Sequence, residues 1–445
     1  AWYLFDWAAQ PFFTLVVTFL YGPYFVSRLA ETPVEGQALW GYAGAAAGFA
    51  VALAAPFFGV VADRSRRKRV CLAVVSVPFV GGLVLLGFAV PEGAGALAFA
   101  VVGYVLASCG AELATVATNA MMPDLARSGR LGRLSGNGFA IGYVGGLASL
   151  VLVLALLDAD PTTGLTRLGV APLFGLVPPA AATAAVGPFC AAWYVLFVWP
   201  LFVFLPWTPV PVAASAAGTP LRHGLAELRA TLRFVAGERR LWRFLAGSMI
   251  YRDGLVALAA FGGIYAAGVL SWTQTQLGLF GIVIIAASAA STFLGGILDD
   301  RMGPDRLIRG SLVGLVLTTV VLVSIRPDSI LFVVTVASGE AGAFDSVADT
   351  AMIGIGILIG VFFGPVQAAS RSMLVHLSPA TRMTAMFGLF ALAGKLTSFL
   401  GPLLVALATD FFGSQRAGAA VIPIFFVVGM ILLPSFRHRI PLPIR

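Results

Sequence analysis

Gly59-Val-Val-Ala-Asp63-Arg64-Ser-Arg-Arg-Lys68 closes one long apolar run, and Gly296-Ile-Leu-Asp-Asp300-Arg301-Met-Gly303 closes another, six runs later. Both read Gly-x-x-x-Asp-Arg. A second pair echoes at the next equivalent place: Gly145-Gly-Leu-Ala-Ser149 in the fifth run and Gly394-Lys-Leu-Thr-Ser398 in the eleventh. Two matches in the same order imply a chain with duplicated halves. Membrane transporters built from internal repeats bind their solute near the bilayer midplane and expose it to each side in turn.

The bulk numbers agree with a membrane chain. Of 445 residues, 59% are hydrophobic and 11% charged, with a mean hydropathy of +0.95. A soluble domain carries about 25% charged residues, because its water-facing surface must be polar. Runs of about twenty apolar residues, each able to cross ~30 Å of hydrocarbon as a helix, recur along the whole length. They read as spans at 3–27, 38–61, 70–90, 94–122, 135–157, 186–206, 241–268, 274–298, 306–325, 349–373, 383–409 and 417–435. The fold class is therefore an all-α membrane protein of twelve helices in two pseudo-symmetric six-helix bundles. The first run has no basic segment before it and no cleavage site after it, so it reads as a retained span.

Arginine placement sets the orientation. Arg64, Arg66, Arg67, Lys68, Arg69, Arg127, Arg130, Arg133, Arg301, Arg306, Arg309, Arg371 and Arg382 fall in one set of loops or at span ends beside it. The segment from Arg222 to Arg243 and the tail with Arg437, Arg439 and Arg445 join that set, whereas the opposite loops hold Arg28, Arg167, Arg326 and Arg416. The positive-inside rule puts the first set and both termini in the cytoplasm, with the chain in the inner (plasma) membrane. The net charge of +8 reflects this asymmetry, and no loop is long enough to carry a nucleic-acid-binding face.

The expected divisions are an N-terminal bundle over 1–206, a cytoplasmic linker over 207–240 and a C-terminal bundle over 241–445. In the linker Leu221, Leu225, Leu228, Leu232 and Val235 recur at helical spacing, with Arg222, Arg229 and Arg233 on other faces. That pattern is a basic amphipathic helix against the inner leaflet. Residues 158–185 read as a periplasmic loop. Residues 328–345 contain Ile330-Leu-Phe-Val-Val-Thr-Val336, too short to cross and β-branched enough for a hairpin. Gly44, Gly48, Ala52, Ala55 and Gly59 form a small-residue stripe suited to close helix approach.

Cys71, Cys109 and Cys190 match no metal-site spacing and read as free thiols. His223, His376 and His438 fall outside the spans. The sequence thus implies no metal and no cofactor, and no intramembrane constellation suits a hydrolase or protease. Gly394-Lys395-Leu-Thr397 mimics the end of a phosphate loop but lacks its first glycine and lies inside the membrane. The chain is not expected to be an enzyme.

Ionisable residues inside a span are costly and face a partner or a wet cavity. Asp6, Glu112, Arg252, Asp253 and Lys395 meet that description. On the fourth span Ser108, Glu112, Thr115 and Asn119 fall at i, i+4, i+7 and i+11, one polar stripe on an apolar helix. Glu112 is the favoured working acid, as a contact for a solute ammonium or as a proton carrier. Asp6 shares a face with Gln10. Arg252 and Asp253 point about 100° apart, so only one can face a cavity squarely. Lys395 lies too deep to snorkel, which calls for a carboxylate partner, Asp253 or Asp6 first, or a bound anion.

The Gly-x-x-x-Asp-Arg loops resemble the signature of the major facilitator superfamily. That resemblance implies that Asp63 and Asp300 cap neighbouring helices and, with Gly59, Arg64, Gly296 and Arg301, latch the cytoplasmic face. Arg66 stands where the family usually has glycine, while the second copy keeps Gly303. It also implies that spans 1, 4, 7 and 10 line the cavity, bringing Asp6, Glu112, Arg252 or Asp253, and Gln367 together.

A nearer resemblance covers most of the chain. Trp2-Tyr-Leu-Phe-Asp6-Trp7-Ala8, Gly142-Tyr-Val-Gly145-Gly146, Gln367-Ala-Ala-Ser370-Arg371-Ser372, Phe387-Gly388-Leu389, Gly394-Lys395 and Ser398-Phe-Leu-Gly401-Pro402 are similar to the autophagy-related vacuolar amino-acid effluxers and their bacterial homologues. The resemblance implies a monomeric secondary transporter of a small polar solute, an amino acid among the candidates, working by alternating access with protons as the coupling ion. The alternatives are a drug–proton antiporter and a non-transporting sensor or scaffold. The antiporter signature needs Gly-Pro before the Gly-Gly pair, where Gly142-Tyr143 stands here. A scaffold would have no use for buried charge.

Overall fold

With no water in hydrocarbon, every backbone N–H and C=O must bond within the chain, so each apolar run has to become a helix. The computed structural model describes residues 1–65, 68–91, 93–126, 129–157, 165–166, 171, 183–204, 220–270, 272, 274–326, 329–331, 334–335, 344 and 346–435. Among these, twelve helices are long and apolar enough to cross a membrane. They run Tyr3–Leu29, Glu35–Asp63, Lys68–Leu86, Ala96–Asn119, Leu131–Leu156, Val186–Phe204, Arg239–Gly263, Gln276–Met302, Pro304–Ser324, Val347–Leu377, Ala380–Phe412 and Gln415–Leu432. Large apolar side chains such as Phe49, Leu53, Val77, Phe204, Leu317 and Phe411 are exposed, a surface that only lipid can cover.

The chain forms two compact units. One comprises Ala1–Met121, Ile141–Arg229 and Thr381–Lys395; the other comprises Met122–Ala140, Ala230–Ala380 and Leu396–Arg445. Each unit thus contains the opening stretch of one span whose remainder belongs to the other unit.

The first unit is centred on aromatic packing. Trp7 stacks on Trp193 with centroids 5.6 Å apart, and Phe79 meets Tyr194 at 4.6 Å. The Tyr21 and Tyr24 hydroxyls donate to the carbonyls of Leu86 (3.0 Å) and Ala89 (2.8 Å). The first span is not a uniform α-helix: it is α-helical over Tyr3–Pro11, then π-wound over Phe12–Phe19. Pro11 and Pro23 remove N–H groups from the ladder, and wide turns are one way a helix absorbs such a loss.

In the second unit the eighth and tenth spans touch backbone to backbone. A Cβ on Gly360 would lie 2.6 Å from the Ile284 carbonyl oxygen. The eleventh span is broken. Its first half, Met383–Leu396, belongs to the first unit up to Lys395, and the helix resumes at Leu400–Phe412 in the second. Pro402, just past the break, has no N–H for the Ser398 carbonyl.

Three expectations are adjusted by the structure. Residues 328–345 do form a hairpin, but a minimal one, with β1 (Ser329–Ile330) antiparallel to β2 (Val334–Thr335). The linker helix is present over Pro220–Gly237. Val235 is buried and Leu228 half-buried as the pattern expects, whereas Leu232 is 47% exposed and Thr231 takes its place on the buried side. The small-residue stripe of the second span divides: Gly59 is tightly packed, but nothing lies within 4 Å of a Cβ on Gly44 or Gly48. Arg66, Arg127, Arg167 and the basic tail lie outside the described residues, as does most of 158–185.

Candidate functional site

A helix start leaves its first N–H groups unbonded. In the first unit Asp63, at the end of the second span, supplies the missing acceptors for the eleventh. Its Oδ1 accepts from the Thr384 amide at 2.9 Å and its Oδ2 from the Ala385 amide at 2.8 Å. The contact depends on Gly59, one helical turn earlier on the same face. A Cβ there would sit 2.5 Å from the Thr384 carbonyl oxygen. One turn further along, Gly388 presses against the Ala55 carbonyl. The motif is thus a docking face: glycine admits the neighbouring backbone and aspartate binds its amides.

The second copy does the same to the fifth span, within the second unit. Asp300 Oδ1 accepts from the Gly132 amide at 2.7 Å and Oδ2 from the Arg133 amide at 3.3 Å. Arg133 Nε adds an ion pair at 3.4 Å. Gly296 and Gly136 meet face to face, a Cβ on Gly136 falling 2.7 Å from the Gly296 Cα. Of the two motif arginines, Arg301 is exposed and the Arg64 side chain lies outside the described set.

Sequence reasoning missed what stands beside the second cap. Arg371 is counted in the sequence among the basic loop-side residues and quoted within a family motif, with no contact assigned to it, yet it is 3% exposed. Its Nε donates to Ser135 Oγ at 3.2 Å, its Nη2 donates to the Ser135 carbonyl at 2.9 Å, and its guanidinium lies 3.7 Å over the Phe139 ring. Ser372 donates to the buried carboxylate of Asp299. The available signal was Ser370-Arg371-Ser372 in an apolar span together with doubled acids at 299 and 300.

The intramembrane charges are arranged differently from expectation in one respect. Lys395 Nζ lies 2.7 Å from Glu112 Oε1, a different carboxylate from the Asp253 or Asp6 expected first. The reason is local. Lys395 stands in the last turn of the half-helix Met383–Leu396, where a cation is favoured by the helix dipole, and Asp63 and Gly388 fix that half-helix within the same unit as the fourth span. The two side chains remain 32% and 20% exposed, so solvent-sized space reaches the pair. The polar stripe of the fourth span holds in part. Thr115 bonds its own helix at the Ala111 carbonyl, 2.8 Å away, and Asn119 is 6% exposed. Cys109, on the adjoining face, points its thiol at the Ala47 carbonyl.

Asp6 and Gln10 line the first span where it packs on glycines of the fifth. A Cβ on Gly142 would lie 3.2 Å from Asp6 Cβ, one on Gly145 2.9 Å from the Trp7 carbonyl oxygen, and one on Gly146 2.9 Å from Gln10 Cγ. Asp6, Gln10, Glu112, Asn119 and Lys395 fall in the first unit, and Arg252, Asp253 and Gln367 in the second. Asp253 is 2% exposed, whereas Arg252 and Gln367 are half-buried. No group of three or more His, Cys, Asp or Glu side chains suits a metal ion among the described residues.

The profile of a family described as "Vacuole effluxer Atg22 like" matches residues 26–438. The chain belongs to this family. As an Atg22-like protein it is 23% identical over 445 aligned residues to an MFS-type transporter, YxiO of Bacillus subtilis (strain 168), covering 97% of this chain and 93% of that one. It is 25% identical over 303 residues to Autophagy-related protein 22 of Cryptococcus neoformans var. neoformans serotype D (strain JEC21 / ATCC MYA-565), covering 66% of this chain and 48% of that protein. The Atg22-like chain therefore spans about half the length of that fungal relative. Among solved structures it superposes on the human organic anion transporter MFSD10 with a TM-score of 0.69 at 17% identity, over 97% of this chain and 98% of that one. The proton:xylose symporter XylE gives 0.68 at 14%, over 97% and 94%. Identities this low establish the fold alone, and the fold is that of the major facilitator superfamily. The Atg22-like protein is a transporter of that type and not an enzyme.

Proposed function

We propose that this transporter is a secondary exporter of small zwitterionic solutes, amino acids in the first place, driven by proton exchange. The observation that carries the reading is the Lys395–Glu112 pair, 2.7 Å apart and only partly buried within the spans. An amino acid carries a carboxylate that a lysine can bind and an ammonium that a glutamate can accept. A solute of this kind replaces one ion pair by two, so neither protein charge is left bare, a state that would cost several kcal/mol at this depth. The printed names of the family and its fungal relatives, effluxer and autophagy-related, point the same way. Gln10 and Asn119 in the first unit, and Arg252 and Gln367 in the second, are the remaining polar candidates for the solute path. Tyr104 and Ser108 stand beside the pair on the fourth span.

In this reading the Gly59–Asp63 and Gly296–Asp300 contacts are latches released once per cycle. The two-bundle division at 207–240 is the duplication boundary, and a monomer in the plasma membrane with cytoplasmic termini is the working form. The test is counterflow in proteoliposomes with a panel of labelled amino acids, sugars and hydrophobic cations. Exchange of at least one amino acid, lost in both Lys395→Ala and Glu112→Ala, is expected. Exchange confined to hydrophobic cations would replace the reading with a drug antiporter, and no flux of any panel solute would favour a sensor.

A further inference from the structure

The eleventh span stops at Leu396 and resumes at Leu400, and this break lies against Asp253 of the seventh span. A Cβ on Gly401 would fall 2.5 Å from the Asp253 carbonyl oxygen, so the first turn of the second half-helix rests on the Asp253 backbone. The Asp253 side chain is 2% exposed. Its Oδ1 is buried and makes no hydrogen bond; Thr397 Oγ1, inside the break, is buried and makes none either. The Thr397 hydroxyl lies close enough to act on the carboxyl without being aligned for a bond, and the charged group whose field reaches Asp253 is Arg252, its chain neighbour. All of these groups belong to the second unit.

Two unbonded buried oxygens at one break are costly, and a bare carboxylate among them more so. One small addition satisfies both groups. A proton on Oδ1 removes the charge and creates an O–H donor for the Thr397 hydroxyl. The chain also passes from one compact unit to the other between Lys395 and Leu396, at the same break. We propose that Asp253, completed by Thr397, is the site at which the coupling proton is bound and released. Hydronium delivers its proton to Oδ1 and leaves as water; release returns the proton to water, and no redox partner is needed. Glu112 then has no proton to carry. Lys395 holds it as an ion pair at 2.7 Å, and it serves the solute.

The proposal rests on the transporter reading, so its test has one arm that needs no solute. Infrared difference spectra of the full-length protein in liposomes, taken between acidic and alkaline buffer, should show a titrating buried carboxylic-acid band. That band should be absent from Asp253→Asn and displaced in Thr397→Ala, which keeps the acid and serves if the first variant folds poorly. In the transport arm, proton-driven accumulation should be lost in Asp253→Asn while counterflow stays measurable. Difference spectra identical in wild type and both variants would overturn the assignment, as would full proton-driven accumulation by Asp253→Asn. A band that answers to sodium at fixed pH would overturn it too, placing a metal cation there instead. Failure of every amino acid in counterflow would sink the solute reading alone, because the infrared band does not depend on it.

Discussion

At the scale of single residues, Asp63 and Asp300 each bind two amides that a helix start would otherwise leave bare. Asn in either place keeps one acceptor and loses the charge that the dipole favours, a cost of about 1 kcal/mol. Asp63→Asn should therefore lower the thermal midpoint modestly and leave expression intact. It should also raise the reactivity of an introduced cysteine at Thr384, whose side chain is now buried. Unchanged reactivity would remove the latch role. The Lys395–Glu112 pair predicts a larger and non-additive effect. Lys395→Ala strands a carboxylate inside the membrane and should cost about 1–3 kcal/mol, less than a fully buried pair because both groups keep some solvent. Adding Glu112→Gln should restore part of that loss, whereas adding Asp253→Asn should not. Strictly additive losses in the first cycle would argue that the pair is not coupled in solution.

At the scale of elements, the spans were legible because hydrocarbon allows one solution to a long apolar run, and their order carried the duplication with it. The break in the eleventh span is not legible from Gly401-Pro402 alone, since Pro56, Pro78 and Pro365 stand inside unbroken helices. Missing that break misdirected the Lys395 partner, because a half-helix ending at Leu396 delivers its last lysine to the fourth span. The glycines were half legible. Their spacing shows which could form a contact face, but only the packed chain shows that Gly59 has a neighbour while Gly44 and Gly48 have none. This difference is testable. Gly59→Ala should push the start of the eleventh span away from Asp63, lowering stability and transport together. Gly44→Ala and Gly48→Ala should be neutral or slightly stabilising, since alanine is about 1 kcal/mol the better helix former. Equal losses at positions 44 and 59 would mean that the docking face is not what Gly59 provides.

At the scale of the whole molecule, composition and arginine placement made the membrane class and an orientation readable before any contact was known. They could not reveal which polar groups are buried together: Arg371 and Arg382 look alike in sequence, yet Arg371 is 3% exposed with its guanidinium over the Phe139 ring, and Arg382 is half-buried. The orientation itself gives the last prediction. Basic residues cluster in the loops after the second, fourth, eighth and tenth spans and in the linker, and translocating short basic loops is disfavoured. Glu31, Glu238, Thr381 and Gln415 are exposed positions between spans, at the start of a span or in the linker region, and none carries a contact described above. In a background with Cys71, Cys109 and Cys190 replaced, cysteines at Glu31 and Gln415 should react with a membrane-impermeant maleimide in intact cells. Cysteines at Glu238 and Thr381 should react only after the membrane is opened. The reverse pattern would place the basic loops outside and invert the direction of every step proposed for the transport cycle. A mixed pattern, with Glu31 and Gln415 on opposite sides, would break the pairing of equivalent spans on which the duplicated reading depends.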